Sequence, residues 1–385
     1  MSELQKKCSH ILAVAGGKGG VGKSIFSVTL STTLAMMGYR VIVVDLDLGG
    51  ANLHTYLGVM DRMPSLFHFI HKKVKSLNDI VVKTPIANLS FISGAHYSPA
   101  MSNPAAELKV KLIRHLYALD ADFIVIDLGA GMDLSTLDFF IFSDRGFLVT
   151  VPEPGAVMNA YRFIQGALFR KMVTVFGQHK EIGAIVRDLG QACAHDESAM
   201  LSWFVNRVKE IDPEVFPLVQ EVSSRFQPFL VLNRIAHEQA QRLVSTLTGH
   251  CSNKYAVEIK YLGNLPDVKQ LTSFLLDVPG FLKSTAGKAY FLSLKSVVRR
   301  FLIDLHDANV LAEKLNIRKD FGDEKTLETL SDIIDRLDGD IINDAGKKLW
   351  KLRLFFKPVE VVKFLLKKGV KEDILFESDS LNLKK

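Results

Sequence analysis

Gly16-Gly17-Lys18-Gly19-Gly20-Val21-Gly22-Lys23-Ser24 is the stretch that decides the fold. It follows the apolar run HILAVA at 10–15 and opens onto residues 25–37, which read as a helix. Residues 17–24 satisfy G-x-x-x-x-G-K-[ST] in the strand–loop–helix setting that the pattern requires, so they read as a phosphate-binding loop. Gly17, Gly19, Gly20 and Gly22 let backbone N–H groups turn inward around Val21, and the helix N-terminus adds a positive dipole end. On this reading Lys23 reaches the terminal phosphates and Ser24 ligates magnesium.

Outward from the loop, short apolar runs alternate with longer stretches at helical spacing. The runs are VIVV at 41–44, LSFI at 89–92, FIVI at 123–126, FLVTV at 147–151, FLVL at 229–232 and IKYL at 259–262. Most are apolar on consecutive positions, which is how strands covered on both faces read. The expectation is an α/β protein: a mainly parallel sheet with helices on both faces. Ligands of such sheets gather at the carboxyl ends of the strands, so the residues just past each run carry the chemistry.

Past the second run stands Asp45-Leu46-Asp47-Leu48-Gly49-Gly50, where glycines let the chain turn so that both carboxylates address one magnesium–phosphate centre. The fourth run ends in Asp127, placed to hold magnesium through water, and Gly129 and Gly131 follow as hinges able to respond to a γ-phosphate. Asn233 follows the sixth run, and Gly263-Asn264-Leu265-Pro266-Asp267 belongs to the seventh. An Asn amide both donates to and accepts from a purine edge.

These segments, in this order over about residues 9–290, resemble the MinD/ParA family of deviant Walker A ATPases. The resemblance implies a P-loop NTPase fold, ATP and Mg2+ as ligands, and hydrolysis of ATP to ADP and phosphate. It makes Lys18 the additional lysine that crosses a nucleotide-sandwiched homodimer to the partner's phosphates. Asp47 becomes the residue that orients the attacking water, with Lys18, Lys23 and Asp47 as the catalytic set. Asp45 joins Ser24 and Asp127 around the metal, residues 128–131 correspond to the switch segment, and Asn233, Pro266 and Asp267 form the adenine pocket. Pro152-Glu153-Pro154-Gly155 resembles a proline-bearing segment beside the nucleotide; alone it reads as a stiff turn. That segment and a helical insertion are most similar to the FlhG/FleN branch, MinD-like regulators of flagellar number and placement.

The insertion covers about 182–226 and reads as two or more helices interrupted by Pro213 and Pro217. The expected organisation is an ATPase domain over 1–290 and a helical extension over 291–385, with polar turns near 320–323 and 338–343.

The chain has 385 residues, 48% hydrophobic and 23% charged, a composition that excludes disorder and collagen-like order. No run is long and apolar enough to cross a bilayer, and the N-terminal residues lack a signal-peptide pattern, so a cytoplasmic protein is expected. Cys8, Cys193 and Cys251 lie far apart without CxxC spacing, which argues against a disulfide framework, a zinc site or an iron–sulfur carrier.

The net charge of +6 resides in residues 345–385, which hold eleven Lys/Arg against five Asp/Glu, while the rest of the chain balances. As a helix, this tail aligns Leu352, Phe355, Phe356, Val359, Val362 and Leu366, with Arg353, Lys357, Lys368 and Lys371 largely opposite. Such a face suits an anionic membrane surface. Pro358 within the stripe, and Val361, Phe364 and Leu365 off it, suit a packed helical subdomain or a docking surface for a protein activator or cargo. DNA contact, as in a ParA-type segregation ATPase, is the remaining alternative, without a recognisable motif to support it. A scaffold that binds nucleotide without hydrolysing it is opposed by the intact Lys18, Lys23 and Asp47.

Overall fold

A computed structural model describes residues 10–47, 52–59, 63–94, 106–176, 183–185, 197–211, 213, 216–235, 237–255, 257–268 and 284–317. In chain order, β1 (His10–Ala15), α1 (Lys23–Met36) and β2 (Val41–Leu46) are followed by α2 (Leu53–Tyr56), α3 (Leu66–Ile70) and a 3-10 turn at Leu77–Ile80. Then come β3 (Val82–Lys83), β4 (Leu89–Ile92), α4 (Ala106–Tyr117), β5 (Phe123–Leu128), α5 (Leu134–Phe142), β6 (Arg145–Thr150) and α6 (Pro154–Phe176). The series continues with α7 (Glu197–Ile211), α8 (Phe216–Ser224), β7 (Phe229–Leu232), α9 (His237–Tyr255), β8 (Lys260–Asn264) and α10 (Thr285–Ile317).

The strands form one eight-stranded sheet in the order β3-β4-β2-β5-β1-β6-β7-β8. Every neighbouring pair is parallel except β3 with β4. Every residue of β2, β5 and β7 and all but the first of β1 are buried, so both sides of the central sheet are covered. Each of the seven apolar runs coincides with a parallel strand to within about two residues at either end. β3 has no counterpart among them: two residues that exist as a strand only through pairing with β4 leave no periodicity to read.

The chain divides into two compact units. The first comprises Met1–Ala167, Gln227–Asn253 and Val257–Val298 and contains the sheet. Within it Phe26, Phe147 and Phe229 form a row of rings at centroid spacings of 5.8 and 5.3 Å, and the buried Tyr290 hydroxyl lies 3.4 Å from Thr29 Oγ1 on α1. The division expected at 290/291 falls inside α10, whose Phe291, Leu294, Val297 and Val298 are buried and belong to the first unit. The second unit comprises Leu168–Phe226, Lys254–Ala256 and Arg299–Lys385. Its described core includes Met172, Phe176, Phe204, Val208, Val219 and Val222. The buried Lys171 ammonium lies 5.6 Å above the Phe226 ring, and burial pulls its pKa down to about 8.

Of the two prolines expected to interrupt the insertion, Pro213 lies in the turn between α7 and α8, but Pro217 is the second residue of α8. A first-turn N–H has no helical partner to lose, so proline is tolerated there. Pro154 likewise opens α6, so the Pro-Glu-Pro turn is also a helix start. The basic segment 345–385 with its apolar stripe, the turns near 320–323 and 338–343, Cys8, Cys193 and residues 48–51 lie outside the described residues. Among the described residues no helix is long and apolar enough to cross a membrane.

Candidate functional site

Strand register brings the site together. β5 lies between β1 and β2, pairing Asp127 with Val14 on one side and with Asp45 on the other. The loop at 16–22 leaves β1 two residues after Val14, so it begins beside both carboxylates. This is also where the connections diverge, β2 lying to one side of β1 and β6 to the other, the place where open sheets bind ligands.

The loop is held against the body of the first unit. A Cβ on Gly17 would run into the backbone of Asn159, so only glycine allows this approach to α6. Gly22, at φ +91°, precedes α1 in the left-handed region, and a Cβ there would collide with the Asn233 amide. Val21 between them is buried in a small apolar cluster with Val151 and Ala156. Lys23 is buried, whereas Lys18 is exposed and, among the described residues, pairs with Glu153, 3.4 Å away across an exposed ion pair.

Asp127 accepts hydrogen bonds from the Ser24 and Ser27 hydroxyls, the latter at 2.7 Å. Burial pushes its pKa up to about 6, against the pull of those two bonds and of the Lys23 charge, while Asp47 raises it further. Asp45 is driven higher, to about 8, by burial and then by the charge of Asp127. Its carboxylate accepts from the Asp47 N–H at 3.1 Å and the Leu53 N–H at 3.2 Å, bracketing the loop that carries Asp47. The half-buried Asp47 carboxylate lies 3.5 Å from where a Gly129 Cβ would stand, so a side chain at position 129 would meet it.

Two buried carboxylates whose proton affinity burial raises, with serine hydroxyls beside them, form a hard-oxygen donor set at which a divalent cation could take the place of a proton. The residues therefore fit magnesium.

At the other end of the site, backbone bonds from Leu265 N–H to Leu232 O (2.8 Å) and from Ile235 N–H to Leu265 O (3.2 Å) join the two expected adenine-pocket segments. Asn233 is buried, Pro266 half-buried and Asp267 exposed. The Asn233 amide is already engaged with protein: Nδ2 donates to Val21 O at 2.9 Å, and Oδ1 accepts from Arg234 N–H at 3.0 Å.

Two residues near the site escaped the sequence reading, and a third, Glu153, was read only as part of the Pro-Glu-Pro segment. Ser27 stands one helical turn past Ser24. Asp133, just past the switch glycines, caps α5 by accepting from the Ser135 and Thr136 N–H groups and the Thr136 hydroxyl. Glu153 holds Lys18. Asp133 had a readable signal, an Asp directly before the apolar run of α5. The other two depend on tertiary contact.

A family model described as "ParA: NUBPL iron-transfer P-loop NTPase" matches residues 7–204. The septum site-determining protein MinD of Escherichia coli K12 is 30% identical over 156 residues, 40% of this chain and 58% of that protein. The flagellum site-determining protein YlxH of Helicobacter pylori is 34% identical over 168 residues, 41% of this chain and 53% of that protein. The chain thus spans little more than half the length of these curated relatives. Among solved structures, MinD from Pyrococcus horikoshii in complex with Mg-ADP is similar at a TM-score of 0.48 and 21% identity, covering 75% of this chain and 94% of that one.

Proposed function

Because the chain belongs to the ParA family of P-loop NTPases, we propose that it is an ATPase working as a nucleotide-timed switch for spatial regulation in the cell. ATP with magnesium drives a sandwich homodimer, the dimer engages an anionic membrane surface or a protein partner, and hydrolysis releases it. The names of MinD and YlxH, site-determining proteins of the septum and the flagellum, support a positional output, with flagellar number or placement the specific form.

The observation that carries the reading is the convergence of a glycine-built phosphate loop, a buried lysine and three aspartates at the carboxyl ends of adjacent strands. In the reaction, water attacks the γ-phosphate and the protein contributes position and charge. Lys23, inside the loop, steadies the phosphates. Ser24 and Asp127 would hold magnesium, with Asp45 supporting, and the ion would supply positive charge to the phosphoryl oxygens. Asp47 orients the water, and because Gly129 carries no side chain toward it, the switch segment has room to respond to the γ-phosphate. Lys18, exposed and paired with the exposed Glu153, can exchange that weak pair for the phosphates of a second copy. Iron transfer, named in the family model, finds no support at Cys251, which is fully buried with its thiol pushed up to about 12, the reverse of a thiolate ligand.

The deciding experiment is the solution mass of an Asp47→Ala variant in ADP and in ATP with magnesium, with and without Lys18→Ala. The expected result is a mass that doubles only in ATP and only when Lys18 is present. A monomer in every state, despite measured ATP binding, would overturn the dimer switch.

A further inference from the structure

We propose that Asn233 is a positioning residue for the phosphates: it staples the crest of the phosphate loop to the end of β7, so that the nucleobase and phosphate ends of the site are mechanically one. The inference rests on the nucleotide-binding reading above and assigns Asn233 a task distinct from contacting a base.

The geometry is that of a buried three-way junction. The Asn233 backbone N–H donates to Thr150 O at 2.8 Å, fixing the residue to the end of β6. Its side chain then spans to the loop, Nδ2 to Val21 O, while Oδ1 is occupied by the next residue's N–H. Arg234 pays for this turn with a φ of +56°, a backbone state that side-chain-bearing residues seldom adopt. The donor is so close to the loop that residue 22 can carry no Cβ.

A peptide unit is planar and trans, so its C=O and N–H point in opposite directions. Holding Val21 O toward Asn233 therefore turns the Gly22 N–H away from Asn233, as an inward-facing phosphate donor requires. Val21 is clamped at its other end too, its side chain buried with Val151 and Ala156, so its carbonyl is the remaining freedom that the staple removes. An asparagine has four hydrogen-bonding positions, and two here serve the protein, leaving one N–H and one lone pair for a base. Occupying the base pocket thus acts on a side chain that already sets a phosphate donor.

The test uses a ligand with no base. Calorimetric titration of the 385-residue chain with Mg-ATP and with Mg-tripolyphosphate is compared for wild type, Asn233→Asp and Asn233→Ala. In Asn233→Asp a carboxylate oxygen replaces the donor and faces Val21 O. Mg-tripolyphosphate, which has no base, should weaken by about 10- to 100-fold, the scale of a buried hydrogen bond lost with its partner left unsatisfied, and Mg-ATP by at least as much. Lowering the pH from 8 to 5 should return both affinities toward the wild-type values at the same pH, because a protonated carboxyl can donate again. Asn233→Ala, which lacks the repulsion, should still weaken Mg-tripolyphosphate, by a smaller factor, and carries the test if the aspartate variant does not fold. Loss of Mg-ATP affinity with Mg-tripolyphosphate affinity unchanged would overturn the staple while leaving the nucleotide switch standing. Failure of the wild-type chain to bind either ligand would overturn the phosphate cradle itself.

Discussion

At the amino ends of the central strands, Asp122 accepts from the Arg40 N–H at 2.8 Å and from its guanidinium at 3.3 Å, and Asp144 accepts from the Ile11 N–H at 2.7 Å and the Tyr117 hydroxyl at 3.2 Å. At the carboxyl ends of the same sheet, Asp45 and Asp127 sit side by side in register, almost fully buried. Among the described residues no cation is bonded to Asp45, and Asp127 has only hydroxyls and the nearby charge of Lys23. The amino edge binds its carboxylates with donors from its own chain, including a guanidinium at Asp122. The carboxyl edge leaves them short of positive charge, and burial drives their proton affinity up. A fold tolerates such an imbalance where a ligand completes it, which is what marks one edge as the site and the other as scaffold.

The contrast is sharpened most by another buried carboxylate that is given its own cation. Asp138 on α5 is 2.9 Å from the Lys109 ammonium of α4, their side chains 8% and 7% exposed. Lys109→Met should cost about 3–5 kcal/mol in chemical denaturation, because it strands a buried charge. Adding Asp138→Leu should recover most of that loss. A small effect of the single substitution would mean that the two aspartate classes differ less than their partners suggest.

Asp47→Ala comes next. A residue that only orients water should lower turnover by at least ~100-fold in a phosphate-release assay, with ADP affinity changed less than ~3-fold. A matching loss of ADP affinity would instead place Asp47 in the binding cradle with Asp127.

The third effect is a pH dependence with a definite sign. Folded-state values of about 8 for Asp45 and about 6 for Asp127 exceed the ordinary carboxyl value of 3.8, so the folded state holds protons that the unfolded chain releases. Their contribution to stability is complete below about 3.8 and is lost as pH rises through about 6 and then 8. Without nucleotide, the melting temperature should fall by roughly 5 °C or more between pH 6 and 8. Asp45→Asn should flatten that slope, and saturating Mg-ADP should do the same by replacing the proton. A melting temperature that rises over this interval in the free wild-type chain would show that the carboxyl edge carries no excess of negative charge.

Legibility followed the same physical lines. Strands covered on both faces announce themselves as unbroken apolar runs, and a phosphate loop must place its glycines and lysine at fixed spacing, so the sheet, Lys23, Asp45 and Asp127 could be read directly. β3 could not, because a two-residue edge strand borrows its conformation from β4. Ser27 and Asp127 are 100 positions apart, and Lys18 and Glu153 are 135 apart; their meetings are products of strand order. Asn233 was legible as a polar residue at a strand end, but what its amide touches is decided by how close Val21 comes.

The smallest expected effect tests the scaffold edge itself. Arg40→Ala removes a guanidinium that bonds Asp120 at 2.7 Å and Asp122 at 3.3 Å, and those bonds raise the arginine's own pKa, Asp122 contributing most. The Asp120 contact lies toward solvent, with the Arg40 side chain 47% and Asp120 85% exposed, so screening reduces its worth to about 0–1 kcal/mol; Asp122 is 13% exposed, but its guanidinium bond is the longer of the two. The stronger support of Asp122 is the Arg40 backbone N–H, which alanine retains. Nucleotide affinity and turnover should stay within ~2-fold of wild type, since substitutions well apart and without shared partners act independently. A loss of nucleotide binding from this exchange would mean that charge at the amino edge is felt at the carboxyl edge, and that scaffold and site are one electrostatic system.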